Sequence, residues 1–374
     1  MVRVECLSYD ALGDQLRRDL VAMRDRQAIY DSPFFDLDFA GILATVRKDT
    51  RILVASDDEG VLGYWALHVR PDKWARPIGA PFSDWHGPVM RAEQTSLTPE
   101  KFLQLGGLRG MTVTALKPQS LSAQCGGEIS ACGMVETPDG AGAYRSVMAG
   151  LHKKHFKNLR RVERRIEQDF ENSALTMDDT SRDAFDWLMS LKQDQYLKTG
   201  KHNVLKPDWV RAMMDALRNR SFPRLRGRLS SLRFNGQLAA AEFDILSDKI
   251  VHGWITAYDQ AYAKYSPGHI LMLAVIGDME NTGHVSCDIG ADDHAYKTYY
   301  ETYQQPVERV VLRAGNGRRP LAAAWRVLET RSPDSVNAML AKMRRRGDQI
   351  FSADLSLTGR TSGLIQALLP RKKP

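Results

Sequence analysis

The sequence lacks the features of a secreted, membrane-spanning or disulfide-stapled protein. Its first five residues contain no basic segment leading into an apolar run, and no stretch of about 18 uninterrupted apolar residues occurs in it. Cysteine is scarce, and the four thiols have neither the CxxC spacing of a zinc site nor the density of a disulfide framework: Cys6, Cys125, Cys132 and Cys287. We therefore expect a cytoplasmic protein with buried free thiols and no metal.

Excess positive charge is also absent from most of the chain. The net charge is +7, but residues 341–374 hold eight Lys or Arg against two Asp, which places +6 there and leaves +1 for the rest. Such a tail is usually a solvated extension, and sometimes it binds nucleotides, polyanions or a lipid surface. With 374 residues and 43% hydrophobic content, the chain is expected to form two globular domains and an appendage.

Each half of the sequence contains a β-hairpin pattern. In the first half, strands at 51–56 and 61–67 flank an acidic turn, and in the second, strands at 229–234 and 237–246 flank the turn Asn235-Gly236. Helical sequence precedes both hairpins, which indicates a duplicated unit.

The second half predicts an ordered series of elements. A helix at 151–170 has one apolar face, and seven Lys or Arg lie between positions 153 and 165 with a single acid. Further helices are predicted at 183–199 and 207–220. The hairpin, a strand at 250–258, a helix at 270–276, a strand at 285–290, a helix around 295–303 and a last strand at 307–312 complete the series.

The predicted start of the helix at 270–276 has the chemistry of an anion site. Its residues are Ser266, Pro267, Gly268 and His269. A helix N-terminus offers free N–H groups and the positive end of the dipole. Ser266 could cap the helix, and Pro267 lacks the backbone N–H that a first helical residue would leave unpaired. Gly268 would let a phosphate approach the backbone closely. Many helices begin in this way for stability alone.

Several motifs taken together resemble one family, the CelD (cellulose-biosynthesis) group of Fem-like GNAT acyltransferases. They are Tyr258-Asp259, Tyr265-Ser266-Pro267-Gly268, Cys287-Asp288-Ile289-Gly290, Tyr296-Lys297, the basic helix 154–165 and the segment 79–88. The resemblance implies an α/β (α+β) fold with two tandem GNAT-like lobes, whose mixed, mostly antiparallel sheets are flanked by helices. We predict a degenerate lobe at 1–145, an acyltransferase lobe at 146–315 and a helical, basic C-terminal extension at 316–374.

The resemblance also implies acyl transfer from a coenzyme A thioester to an amine, commonly an amino sugar of an exopolysaccharide or its lipid-linked precursor. Acetyl-CoA or another acyl-CoA would be a co-substrate rather than a permanent cofactor. Only Gly268 remains of the usual R/Q-x-x-G-x-G/A phosphate loop. An aminoacyl-tRNA donor is the alternative, but the long helical insertion with which relatives bind tRNA is not evident. A site at the inner membrane surface, near glycan-synthesis machinery, would suit such an acceptor.

Transfer to an amine requires a base, and two carboxylates are candidates. Asp288 follows the expected phosphate-binding helix, and Glu242 lies mid-strand among small apolar residues, where burial would raise its pKa. Alternatively, Asp288 caps a turn and Glu242 is salt-bridged. Lys297 could bind an acceptor phosphate or pair with Asp288, and Tyr258, like Tyr296, could protonate the leaving thiolate. His252 is interpreted as an ordinary half-buried histidine.

The first lobe contains an unusual polar and aromatic loop at 83–88. Trp85 could stack on a sugar ring while Asp84 and His86 bond its hydroxyls, or the loop could be a rigid contact between lobes. Since this lobe lacks a counterpart of the Ser-Pro-Gly helix start, we interpret it as a degenerate copy that shapes the acceptor cleft.

The tail contains a cluster suited to phosphate and guanine recognition, namely Arg344, Arg345, Arg346 and Asp348. Arg345-x-x-Asp348 resembles the RxxD pattern of cyclic di-GMP sites, although a solvated tail is also compatible with it. A non-catalytic, nucleotide-sensing scaffold remains an alternative function. Nucleic-acid binding through the basic helix ranks last because no aromatic residues are interleaved with its arginines, so we expect no DNA partner.

Overall fold

The computed structural model describes residues 1–92, 97–117, 127–219, 222–291, 295–315 and 334–368. Cys125 and the stretches 316–333 and 369–374 of the predicted extension lie outside the described residues. Cys132 and Cys287 are buried free thiols, as predicted, whereas Cys6 is exposed. The prediction was wrong for Cys6 because it lies on an edge strand with one face in solvent.

The first half contains seven strands and three helices among its described residues. In chain order they are β1 (Arg3–Leu7), α1 (Asp14–Asp25), α2 (Leu37–Val46), β2 (Thr50–Asp57), β3 (Gly60–Val69), β4 (Trp74–Pro77), β5 (Val89–Met90), α3 (Pro99–Leu105), β6 (Gly110–Leu116) and β7 (Glu128–Glu136). Sequence chemistry sets the ends of these elements. For example, the Asp36 side chain accepts a hydrogen bond from the amide of Asp38 and so caps α2.

The remaining elements follow from residue 140 onward. They are α4 (Gly140–Leu151), α5 (Lys153–Asp169), β8 (Ser173–Thr176), α6 (Arg182–Thr199), α7 (Asp208–Arg218), β9 (Arg226–Phe234), β10 (Gln237–Leu246), β11 (Ile250–Tyr258), α8 (Pro267–Asp278), β12 (Ser286–Asp288), β13 (Tyr303–Arg313), α9 (Asp334–Ala353) and α10 (Leu357–Leu368). Both predicted hairpins are confirmed. The helix predicted around 295–303 is wrong, since the chain forms only a short 3-10 turn there, Lys297–Tyr299.

The two halves repeat one topology. β1, α1, α2, β2, β3, β4, α3 and β6 of the first half correspond in order to β8, α6, α7, β9, β10, β11, α8 and β12 of the second. In each set the first four strands pair antiparallel, and the fourth pairs parallel with the strand after the helix. This duplication confirms the predicted α/β (α+β) class with two lobes.

All these strands form one continuous sheet, because the halves exchange strands at its centre. The order is β1-β2-β3-β4-β6-β13-β7-β12-β11-β10-β9-β8, and β5 pairs with β3 off this path. β7 of the first half lies against β12 of the second, and β13 lies against β6 of the first. The last strand was predicted to close the second lobe, but it lies between two first-half strands instead.

Helix α5 shows how the sequence pattern positions elements near the candidate site. Its buried residues, Phe156, Leu159, Val162 and Ile166, recur three or four apart, so one stripe faces the protein. The basic residues occupy the other faces. No helix in the described part of the chain is long and apolar enough to cross a membrane.

Helix α9 is docked on the body of the protein and is not a solvated tail. Its residues Ile350 and Ala353 are completely buried. Its final carbonyls, which a helix leaves unpaired, accept hydrogen bonds from other elements: the Trp209 indole N–H bonds to Ala353 O at 2.9 Å, and the Arg70 guanidinium to Phe351 O at 2.6 Å. The solvated-tail interpretation is therefore wrong for this helix.

Candidate functional site

The central strand of the second half separates from its neighbour part-way along. β11 pairs with β12 only from Ile250 to His252, opposite 286–288. A bulge follows, because the register with β10 skips one residue at Trp254. Beyond it β11 continues to Tyr258, and that edge has no strand partner in the described ranges. The two strands therefore form a wedge with exposed backbone groups along one side.

Helix α8 begins at the mouth of this wedge, and its N-terminus is open. Ser266, the residue before it, has φ +47°, and within the described part of the molecule its side chain makes no capping hydrogen bond. The capping role predicted for Ser266 is therefore wrong, since a capping residue needs extended backbone. Pro267 is the first helical residue, as predicted, so the amides that follow it are available to an anion.

A cavity of about 540 Å³ lies in this opening. We call it the wedge pocket. It collects nine of the predicted site residues, which come from both halves of the chain: Asp84, Glu242, Tyr258, Ser266, Pro267, Gly268, His269, Tyr296 and Lys297. A Cβ at Gly268 would lie 3.6 Å from Tyr258, so this glycine keeps the floor beside the helix start free of side-chain atoms.

Glu242 is the buried carboxylate of the wedge pocket. It lies on β10 opposite Thr256 and is 2% exposed. Burial raises its pKa well above the ordinary range, and the neighbouring Asp244 carboxylate raises it further. One of its oxygens has no hydrogen-bond partner among the described residues. A Cβ on Gly253 would lie 3.2 Å from the other oxygen, so the glycine leaves room above the carboxylate.

Asp288 lies outside the wedge pocket, and its oxygens are already engaged. It accepts hydrogen bonds from the Trp85 indole N–H and from the Gly290 amide at 2.7 Å. Burial alone would raise its pKa, but the His252 imidazolium and these two donors lower it. A carboxylate stabilised in its charged form is a weak base. The structure therefore contradicts Asp288 as the base and favours the alternative, in which it caps the turn before Gly290.

His252 is fully buried and charged, not an ordinary half-buried histidine. Its Nδ1 lies 3.0 Å from Asp288 Oδ2, and its Nε2 lies 3.5 Å from Asp84 Oδ2. Burial alone would lower the pKa of His252, but the two carboxylates raise it to about 10. The sequence reasoning missed this role because the partners come from distant segments. Its single local signal was a histidine on the strand beside the expected site.

Two residues predicted to bind the acceptor are buried inside the protein. Trp85 is 2% exposed, and the Lys117 ammonium lies 4.2 Å from its ring centre. Its ring is thus not available to stack on a sugar. His86 is also 2% exposed, and burial lowers its pKa to about 3, so it stays neutral. The acceptor-binding roles predicted for Trp85 and His86 are therefore wrong, and the loop serves as the rigid contact between the halves. Asp84 alone of the three reaches the wedge pocket.

The other predicted groups lie around the wedge pocket. Lys297 is buried and donates to the Gly290 carbonyl at 3.0 Å, which holds the turn after β12 in place. In the described part of the structure its ammonium bonds to this carbonyl and forms no salt bridge with Asp288. The ring of His269 accepts or donates a 2.6 Å hydrogen bond at the Tyr300 hydroxyl. Tyr258 and Tyr296 both line the pocket.

The predicted nucleotide residues lie on α9, beside a second cavity. Arg344, Arg345 and Asp348 line it, and the Asp348 carboxylate forms a 3.2 Å ion pair with Arg76. Arg346 does not line it. Binding of a cyclic dinucleotide by these residues stays a prediction. Among the residues that the structure describes, no group of three or more His, Cys, Asp or Glu could hold a metal ion.

Comparison with known proteins identifies the fold of this site. Residues 153–298 match the family model of the acetyltransferase (GNAT) domain. The structure of FemX is 8% identical, with a TM-score of 0.53, and the match covers 82% of this chain and 98% of that one. The likeness to FemX shows that the shared fold extends over both halves. No curated protein matches the sequence significantly.

Two further solved structures are similar to the chain at 13% identity and a TM-score of 0.47. One is the C-terminal domain of a putative lysylphosphatidylglycerol synthetase from Agrobacterium fabrum, where the match covers 82% of this chain and 96% of that one. The other is a tandem GNAT protein from the clavulanic acid biosynthesis pathway, with 84% and 99% covered. Residues 153–298 thus have the sequence pattern of a GNAT acetyltransferase domain, and all residues that line the wedge pocket except Asp84 belong to this range.

Proposed function

We propose that the chain is an N-acyltransferase that moves an acyl group, in the first instance acetyl, from a coenzyme A thioester to an amine. The observation that carries the proposal is the wedge pocket, where an uncapped helix N-terminus, an unpaired strand edge and a buried carboxylate meet. The helix start offers N–H groups to the pyrophosphate. The free edge of β11 offers backbone donors and acceptors to the pantetheine arm and the thioester.

The proposed reaction is a direct transfer in the wedge pocket. The nitrogen of a neutral amine attacks the thioester carbonyl, the C–N bond forms, and the C–S bond breaks. Glu242 takes the proton that the nitrogen loses, and its raised pKa makes it a stronger base than an ordinary carboxylate. Tyr258 returns a proton to the departing thiolate. Asp84, held by His252, faces the same pocket and orients the incoming amine.

In the same proposal the acceptor is an amino sugar of an exopolysaccharide or of its lipid-linked precursor, reached in the cytoplasm at the inner face of the membrane. The family resemblance of the motifs supports this part. Control by cyclic di-GMP through α9 is a weaker proposal. It is supported by the arginines beside a cavity, but Asp348, the acid of its motif, is already paired with Arg76.

The test is calorimetric titration with acetyl-CoA, followed by detection of free thiol with glucosamine and other amino sugars as acceptors. Glu242→Gln should bind acetyl-CoA as tightly as the wild type and lose at least 100-fold in kcat, within the range for a general base. The matched control is Glu308→Gln, since Glu308 is also buried but bonds to the Gly127 amide away from the wedge pocket.

The pH profile separates a base from a structural carboxylate. A base must be ionised, so kcat should fall as the pH drops through the raised pKa of Glu242. This limb should be missing from the residual activity of Glu242→Gln. Failure of acetyl-CoA to bind would contradict the enzyme proposal and favour the non-catalytic scaffold, whereas binding with full activity in Glu242→Gln would refute only the role of this residue.

A further inference from the structure

A second cavity lies next to the wedge pocket, with a volume of about 490 Å³. Its floor is the exchanged centre of the sheet, where β6, β7 and β13 run side by side, and α9 forms one wall. Four arginines from three separate elements line it: Arg76, Arg309, Arg344 and Arg345. We call this cavity the arginine pocket. The proposed transfer reaction does not use any of these side chains.

The arginines of this pocket lie close enough to influence one another. Burial lowers the pKa of Arg309, and the nearby Arg344 and Arg345 lower it further, against the opposing effect of Glu128 and Asp348. Like charges held together in a half-buried cavity repel, and an anion bound between them relieves that repulsion. Planar guanidinium groups suit oxyanions because they bind phosphate or carboxylate through two parallel hydrogen bonds.

The acids on the same walls offset only part of this charge. The pocket has four arginines and three carboxylates, Asp84, Glu128 and Asp348. Asp348 is paired with Arg76, and Asp84 lies 3.5 Å from the charged His252 outside the pocket. Across the whole lining the arginines outnumber the carboxylates by four to three, so the pocket wall carries a net positive charge.

The arginine pocket and the wedge pocket share two lining residues, Asp84 and Ala291. The Asp84 side chain is 35% exposed, so its carboxylate is accessible at this junction. A molecule that occupies the arginine pocket can therefore extend an amine past Asp84 toward the thioester. This continuity favours a substrate over a distant regulator as the occupant.

We infer that the arginine pocket binds an anionic group of the acceptor, a phosphate or a carboxylate, while the amine of the same molecule enters the wedge pocket beside Asp84. The inference rests on the proposed acyl transfer and adds the class of acceptor, an amine that also carries an acid group. A neutral amino sugar would leave these arginines without a ligand. The acid group thus selects the acceptor.

The binding test uses inorganic pyrophosphate, titrated by calorimetry into protein saturated with coenzyme A so that the wedge pocket is filled. The wild type should bind it, and the double variant Arg309→Gln/Arg345→Gln should bind it at least tenfold more weakly. Arg18→Gln, which removes the same kind of charge from the exposed face of α1, is the matched control and should bind as the wild type does. Absent binding, or equal binding by the wild type and the double variant, would overturn the inference.

The kinetic test compares two acceptors that differ in one phosphate, glucosamine and glucosamine 6-phosphate. The wild type should have at least a tenfold higher kcat/KM for the phosphorylated amine, and the double variant should lose that preference while keeping its affinity for acetyl-CoA. Pyrophosphate should inhibit the wild type competitively against the acceptor. If it binds through the arginines but does not compete, the site belongs to a regulator and the inference is wrong.

These outcomes are separable from failure of the proposed function. Acetyl-CoA affinity alone decides whether the wedge pocket holds a thioester. Pyrophosphate titration of coenzyme-free protein still compares the wild type with the double variant if acetyl-CoA does not bind. Should that comparison show no dependence on the arginines, the pocket is not an anion site at all.

Discussion

Both halves contain a wedge between two parallel strands, which is open in the second half and closed in the first. In the second half β11 and β12 part after three residue pairs and leave a pocket, whereas in the first half β4 and β6 pair over two residues and the space beyond is occupied. There the chain at His86 bridges to β6: the His86 amide donates to Ala115 O and the Lys117 amide to His86 O, both at 2.9 Å. The loop that was predicted to bind a sugar thus closes the first wedge.

The helices beside the two wedges differ in whether their N-termini are capped. α3 has seven residues and is capped, because Thr98 accepts a hydrogen bond from the Lys101 amide. α8 has twelve residues, and Ser266 before it is in a left-handed conformation that does not cap it. Free helix N–H groups beside an open cavity lower stability unless a ligand satisfies them. The second wedge is thus open with an uncapped helix beside it, and the first is closed with a capped one.

The largest loss of stability is expected at Asp288, through which the second half holds the first-half loop 83–88. Asp288→Asn should lower the free energy of unfolding by about 3–5 kcal/mol, because it leaves the buried His252 cation with Asp84 alone. Asp84→Asn, at the more exposed partner, should cost less. Chemical denaturation of both variants measures the difference, and equal costs would show that the two carboxylates share the charge evenly.

The same ion pair gives a pH signature. The pKa of His252 is raised to about 10 in the folded protein, so its contribution to stability is complete below the ordinary histidine pKa of about 6.5 and is lost as the pH rises through about 10. Asp288→Asn should flatten this dependence. Denaturation curves from pH 6 to 10 would contradict the assignment if the wild type lost no stability over that interval.

An intermediate effect is expected at the open helix end. Gly268→Val should weaken coenzyme A binding at least tenfold, about 1.4 kcal/mol, because a branched side chain fills the floor of the wedge pocket. The matched control on the same helix is Gly277→Val, where a Cβ meets no described atom within 4 Å. Calorimetry measures both, and similar affinities would place coenzyme A elsewhere.

The smallest changes in stability are expected at the residues that precede α3 and α8. Thr98→Ala should cost about 1 kcal/mol of stability, since it removes a cap from α3. Ser266→Ala should cost much less, because no capping bond of its side chain is seen in the described part of the structure. Thermal unfolding of the two variants tests the contrast. A larger loss for Ser266→Ala would mean that its hydroxyl stabilises the turn in another way.

Local sequence patterns predicted the helices and strands better than they predicted the contacts of individual side chains. The hairpin at Asn235-Gly236, the apolar stripe of α5 and the helix start at Pro267 depend on residues close in sequence, and all three were found. The protonation of His252 depends on Asp288 and Asp84, which lie 36 and 168 positions away in sequence. The contact between Trp85 and Asp288 joins residues 203 positions apart. Charge and burial of single residues could not be read from composition or periodicity because they depend on partners in other elements of the fold.

The exchange of strands at the centre of the sheet couples the two halves during synthesis. β7 is made early, but its neighbours β12 and β13 are made last. Until β13 emerges from the ribosome, β6 and β7 each lack the strand that lies between them, and an open strand edge attracts wrong partners. Neither half can therefore complete its fold alone. A ribosome that stalls before residue 303 would release a chain with two unpaired edges, which is a substrate for chaperones and proteases.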